Sequence, residues 1–109
     1  MARELSDKDM NILYALAPEI KEKKSIPYRS ILPPISKFYS QSPQEFKKRV
    51  ETLHIEDLEY LIELIFEGKE CLRCLELNYV NMLIEVVDEK ISDTRASDLK
   101  ELYNMLNEE

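Results

Sequence analysis

The sequence predicts an all-α protein: a compact, orthogonal or irregular bundle of five to six helices around a central helix pair. Three observations carry that expectation. Only one glycine, Gly68, occurs in 109 residues, whereas hairpins and tight strand connections draw on glycine for positive φ. Apolar residues recur every three or four positions in successive stretches instead of alternating. The composition leans to Leu, Ile, Glu and Lys, a mixture that favours helix. A chain of this length fits one domain, here residues 1–109, and can remove roughly 65% of its unfolded surface from water. Its 44% hydrophobic content is ordinary for a globular chain.

The first helix should open at Ser6, an N-cap with Asp9 at the third helical position and Leu5 and Met10 as a hydrophobic staple. Leu13, Leu16, Ala17 and Ile20 continue at helical spacing, and Pro18 predicts a kink or break near Ala17. Residues 25–43 form a proline-rich, irregular connector holding Pro27, Pro33, Pro34 and Pro43. Only short helical pieces fit there, at Tyr28–Leu32 and Ile35–Tyr39. The connector is too apolar for a disordered linker.

Ser42-Pro43-Gln44-Glu45 combines an N-cap serine, proline at the first helical position and a glutamate placed for a capping box. The helix it starts buries Phe46, Val50 and Leu53. Leu53 and Leu58 then staple the next helix, with His54 as its capping residue and Glu56 and Asp57 in the first turn. That helix should run to about Glu67 and stop at Gly68. A short piece over Lys69–Leu75 leads to a long helix from about Leu77 to Ile91. Ser92 or Asp93 caps the last helix, whose Leu99, Leu102, Tyr103 and Leu106 make one stripe. Two helices, Ile55–Glu67 and Leu77–Ile91, are apolar over too wide an arc for surface helices and should form the central pair. Leu61–Ile65 echoes Leu83–Val87 at an offset of 22, which two similar core helices explain without a repeat architecture.

Charge divides the chain. Residues 1–50 hold ten bases against six acids, net +4, and residues 51–109 hold five bases against sixteen acids, net −11. The whole chain carries −7. Such an asymmetry must be answered inside the fold, across a symmetric oligomer or on a partner. The acidic half places Glu59, Glu63 and Glu67 at four-residue spacing on one helix face with no lysine interleaved, a row that is mildly self-repelling. The basic half offers Lys21, Lys23, Lys24, Arg29, Lys47, Lys48 and Arg49 as a candidate patch. Part of it is answered locally, with Glu45 placed to pair with Arg49 and Lys47 placed to reach Glu51.

Several chemistries are excluded or thinly supported. With one glycine there is no P-loop or dinucleotide fingerprint. Cys71-Leu72-Arg73-Cys74 has redox or half-zinc spacing, yet structural zinc takes four ligands and the chain has no further cysteine and one histidine. Cys71 and Cys74 remain candidate thiols for a sensor, with Arg73 able to lower a thiolate pKa. His54 is the one group suited to neutral-pH proton chemistry, and a capping role accounts for it. Glu51-Thr52-Leu53-His54 is the single Glu-x-x-His of the chain, whereas a di-iron site takes two on facing helices and so needs a second histidine. No cofactor and no metal are expected. The apolar stretches are broken by glutamates, so no membrane span is expected. Two cysteines without a leading apolar segment fit a reducing, cytoplasmic setting.

Helices at Asp7–Leu16, near Tyr28–Leu32 and at Pro43–Leu53 are arranged in a way that resembles a helix-turn-helix or winged-helix unit. The resemblance implies that the third helix, with Gln44, Lys47, Lys48 and Arg49 exposed, would be the recognition element. The chain departs from the pattern in its long, doubly proline-broken connector and in the absence of a wing hairpin. Its net charge of −7 also opposes a polyanion. The expectation is therefore a non-catalytic protein–protein interaction or assembly module working through charged helix faces, with a protein partner or a second copy. Nucleic-acid binding through 21–49 and a thiol sensor are the alternatives.

Overall fold

The computed structural model describes residues 6–18, 42–70 and 72–107. The connector helices expected at Tyr28–Leu32 and Ile35–Tyr39 lie outside the described residues. Among those residues five α-helices follow one another: α1 (Asp7–Leu16), α2 (Pro43–Glu51), α3 (Ile55–Phe66), α4 (Leu77–Lys90) and α5 (Asp93–Asn107). A 3-10 turn, Leu72–Cys74, joins α3 to α4. The protein is an all-α bundle.

Local signals set most of the boundaries. At α1 the capping box forms in full: the Asp9 amide donates to Ser6 Oγ at 3.3 Å, and the Ser6 amide donates to Asp9 Oδ2 at 2.8 Å. Two of the four orphan donors at a helix start are satisfied this way. Pro18 produces a break and not a kink. The residue before a proline is pushed out of the α region, and Ala17 sits at φ −143, ψ 71 as the C-cap.

Helix α2 starts at the expected place with half of the expected capping box: the Glu45 amide donates to Ser42 Oγ at 3.2 Å and Pro43 lies in the first turn, but the Glu45 carboxylate does not return to the Ser42 amide. The Glu45 carboxylate pairs with Arg49 at 3.0 Å. His54 has the backbone of an N-cap, φ −65 and ψ 152, but its side chain makes no cap hydrogen bond. The start of α3 therefore rests on backbone geometry, on the buried staple pair Leu53 and Leu58 and on Glu56 and Asp57 against the helix dipole.

Helix α3 ends in a Schellman motif. Gly68 takes φ +78, its amide donates to the Ile65 carbonyl at 3.1 Å, and the Lys69 amide donates to the Leu64 carbonyl at 2.9 Å. Only glycine takes that conformation without strain. At α5 the capping residue is Ser92, whose Oγ accepts from the Arg95 amide at 3.1 Å.

One contiguous hydrophobic core joins all five helices. Helices α3 and α4 bury five residues each: Leu58, Leu61, Ile62, Leu64 and Ile65 on the first, Tyr79, Val80, Leu83, Val86 and Val87 on the second. Each fully buried aliphatic side chain of this kind contributes about 1.5–3 kcal/mol. The closest backbone approaches fall elsewhere. Helix α4 lies directly against α2 and α5, whereas α3 reaches the core through its long Leu and Ile side chains. Phe46 of α2 meets Tyr79 of α4 edge to face, with ring centroids 5.5 Å apart and planes at 77°. Burial, with a smaller contribution from Glu76, raises the Tyr79 phenol above its ordinary value of 10.0.

Two cations tie helix ends across the bundle. Arg49 Nη1 donates to the Leu16 carbonyl at 3.2 Å, at the end of α1. Lys90 Nζ donates to the Leu53 carbonyl at 3.0 Å and to the Glu51 carbonyl, at the end of α2. Terminal carbonyls of a helix have no intrahelical donor and carry its negative dipole end, so a cation there satisfies both needs.

Candidate interaction face

The acidic row is built as its spacing predicts. Glu59, Glu63 and Glu67 follow one another at successive turns of α3, and all three are exposed. The opposite face of the helix is anchored by Leu58, Leu61 and Ile65 in the core, so the row stands on a fixed element. The cations that answer it come from the acidic half of the chain. Arg95 Nη2 of α5 pairs with Glu63 Oε1 at 3.1 Å, and Lys69 Nζ lies 3.6 Å from Glu67 Oε2. Arg95 also places its guanidinium over the Phe66 ring, 5.4 Å from the centroid. Glu59 has no ion pair among the described residues; it lines a water-sized crevice of about 10 Å³ with Ile62, Glu63, Ile91 and Arg95. Side-chain exposures of 43% for Arg95 and 59% for Glu63 leave their pair accessible to solvent. Such pairs are worth roughly 0–1 kcal/mol and exchange partners readily.

The basic patch is only partly described. Lys21, Lys23, Lys24 and Arg29 lie outside the described residues. Of the remainder, Arg49 forms the expected pair with Glu45 at 3.0 Å. Lys47 does not reach Glu51 but pairs with Glu89 of α4 at 3.8 Å. The reason is geometric. A lysine four residues before a glutamate is the poorer helical order, whereas Glu45 before Arg49 is the better one, and α2 lies directly against α4. Lys48 and Gln44 are exposed. Lys8 crosses to the acidic half, 3.8 Å from Asp57 and 4.9 Å from the Tyr60 ring centroid.

Cys71 lies outside the described residues, as does the side chain of Cys74. His54 is exposed and borders an open depression of about 680 Å³ with Thr52, Leu53, Ile55, Glu56 and Lys90. The Lys90 ammonium in that depression is engaged by the two helix-end carbonyls. Among the described residues no group of three or more His, Cys, Asp or Glu is placed to hold a metal ion.

One feature escapes sequence reasoning. A groove of about 310 Å³ runs between the end of α3 and the second half of α5, lined chiefly by Ile65, Phe66, Leu72, Leu102 and Leu106. Of the four members of the α5 stripe, Leu99 alone is fully buried. Leu102, Tyr103 and Leu106 are half-buried, and Phe66 and Met105 are exposed, at 36% and 64%. Helix α3 turns away at Gly68 while α5 continues to Asn107, so the last turns of α5 run past the helix that would cover them.

Among the described residues no helix is long and apolar enough to cross a membrane. No protein family model, curated protein or solved structure shows significant similarity to the chain.

Proposed function

We propose that the protein is a small cytosolic interaction module without catalytic activity, which presents the acidic face of α3 to a basic region of another protein. The observation that supports this reading most is the row Glu59, Glu63 and Glu67, exposed on a helix whose other side is locked into the core. Rigid placement of like charges costs repulsion that a cationic partner relieves. The cations of α2 point the other way: Arg49 and Lys47 are held by Glu45, Glu89 and the Leu16 carbonyl, so they serve the fold.

The test is an NMR titration of the labelled protein with oligolysine. Shift changes should concentrate on Glu59, Glu63 and Glu67 and fade with added salt. Replacing all three with glutamine should weaken binding about tenfold, three exposed contacts of ~0.5 kcal/mol each. Shifts spread evenly over the surface, or unaltered affinity in the triple variant, overturn the reading. A response to duplex DNA at Gln44 and Lys48 in place of the α3 response would replace it with nucleic-acid binding.

A further inference from the structure

Resting on that reading, we infer that the groove beside the acidic row takes the apolar side of a basic amphipathic helix from a partner protein. Its lining is mostly apolar, Ile65, Leu72, Leu102 and Leu106 with Phe66 at one rim, and the charged residues that share it are the buried Glu70 and the exposed Arg73. At about 310 Å³ it is at the lower limit of a ligand-sized cavity. That is room for one or two large aliphatic or aromatic side chains.

Geometry selects a helix as the occupant. Extended peptides gain affinity by adding to a strand edge, and no strand exists among the described residues. Leu102 and Leu106 are one turn apart, about 6 Å along the axis of α5. A partner helix laid along α5 presents its own i and i+4 anchors at the same spacing, which is how helices seat in apolar grooves.

Charge selects a basic one. Glu67 lies in sequence between the groove-lining Phe66 and Gly68, and Glu63 pairs with the Arg95 that covers the Phe66 ring, with Glu59 one turn further back. On the other side Asp98, one turn before Leu102, and Glu101 are both exposed. Lys69, Arg73 and Arg95 are the cations of the region, and Lys69 and Arg95 are already paired with Glu67 and Glu63. Among the described residues this leaves Glu59, Asp98 and Glu101 around the groove without an ion pair, against the one cation that lines it, Arg73. An acidic peptide, a nucleic acid or an anionic small molecule would be repelled. A lysine- or arginine-flanked helix with two adjacent apolar turns meets both the floor and the rims.

The experiment compares two probes of equal charge on the full chain: oligolysine, and a Leu/Lys peptide patterned as an amphipathic helix. The Leu/Lys peptide should bind about tenfold tighter, as expected from removing one leucine-sized side chain from water. It should keep most of that advantage at about 0.5 M salt, where oligolysine is screened off. Methyl signals of Ile65, Leu72, Leu102 and Leu106 in the unmodified protein should shift with the Leu/Lys peptide and stay in place with oligolysine. Leu106→Ala, half-buried on α5 and lining the groove, should reduce the advantage while leaving the oligolysine affinity unchanged. Equal affinities for the two probes, or methyl signals that do not respond, overturn the groove inference and leave the acidic-face reading standing. Loss of oligolysine binding to the unmodified protein sinks the acidic-face reading. A Leu/Glu peptide of the same pattern binding as well as the Leu/Lys one shows an unselective apolar cleft and overturns the basic-helix assignment.

Discussion

Lys90 should contribute to this fold by capping the end of α2, and Lys90→Met isolates that contribution. Methionine keeps most of the apolar stem and deletes the ammonium. In the native protein that ammonium donates to the Leu53 carbonyl at 3.0 Å and to the Glu51 carbonyl, both at the end of α2. A hydrogen bond from a charged donor contributes about 1.5–3 kcal/mol net, and a cation near a helix C-terminus adds roughly 0.3–1 kcal/mol. Two such bonds would approach 5 kcal/mol if the carbonyls were left dry. The site is only half-buried and borders the open depression beside His54. Water can therefore replace much of what is lost, and about 2 kcal/mol remains as the expected cost. In a domain of about this size that lowers the melting temperature by roughly 10 °C. Urea denaturation followed by far-UV circular dichroism gives the number directly, with an unchanged m-value as the sign that only stability moved. Lys48→Met is the control, because Lys48 is an exposed residue of α2, and it should fall within about 0.5 kcal/mol of the parent. If Lys90→Met also falls within that range, the ammonium is not capping α2 and the account of how α2 and α4 are tied together is wrong.

Further outcomes follow from single features. Gly68→Ala should cost about 1 kcal/mol, because an added Cβ meets nothing within 4 Å and the penalty is confined to φ +78, partly offset by the stiffer unfolded chain; a more stable alanine variant would contradict it. Leu83→Ala, at a fully buried position of α4, should cost about 2–5 kcal/mol. Met105→Ala, 64% exposed, should change stability by no more than ~0.5 kcal/mol in the same urea assay. The Tyr79 phenol is held above its ordinary value of 10.0 by burial and then by Glu76. Its contribution is therefore complete below the unfolded-state value and is lost as pH rises through the folded one. Tyr79→Phe should show a shallower alkaline loss of stability above about pH 10, and identical alkaline slopes would refute the assignment.

The parts of this molecule that could be read from the chain are those whose cause lies within four residues. Ser6 with Asp9, Ser42 with Pro43, the break at Ala17–Pro18 and the glycine stop at Gly68 each act through bonds to the adjacent turn. Each appears in the fold at the expected position. The wide apolar arcs of α3 and α4 were legible for the same reason, since a helix carries its own period. What was not legible depends on which helices abut. Lys47 with Glu89, Arg49 with the Leu16 carbonyl and Lys90 with the Leu53 carbonyl join positions 42, 33 and 37 residues apart. No spacing rule reaches that far. The groove belongs to the same class. Leu102 and Leu106 continue the stripe of Leu99 in sequence, and only the point at which α3 turns away decides that Leu99 is covered and they are not.

The division of charge along the chain acquires a physical meaning from these contacts. A helical bundle generates negative dipole ends wherever a helix terminates inside the fold, and those ends need cations. Arg49 and Lys90 supply them at α1 and α2, while Lys8 and Lys47 reach across to Asp57 and Glu89. Bases engaged in these contacts with helix ends, Asp57 and Glu89 do not reach the acidic row of α3. Glu59, Glu63 and Glu67 are met, where they are met at all, by Arg95 and Lys69 in solvent-exposed pairs. The outward face of α3 thus stays acidic, and Asp98 and Glu101 of α5 are exposed as well. Any protein that docks there has to bring positive charge together with apolar surface, and a ligand offering only one of the two would forgo either the rims or the floor.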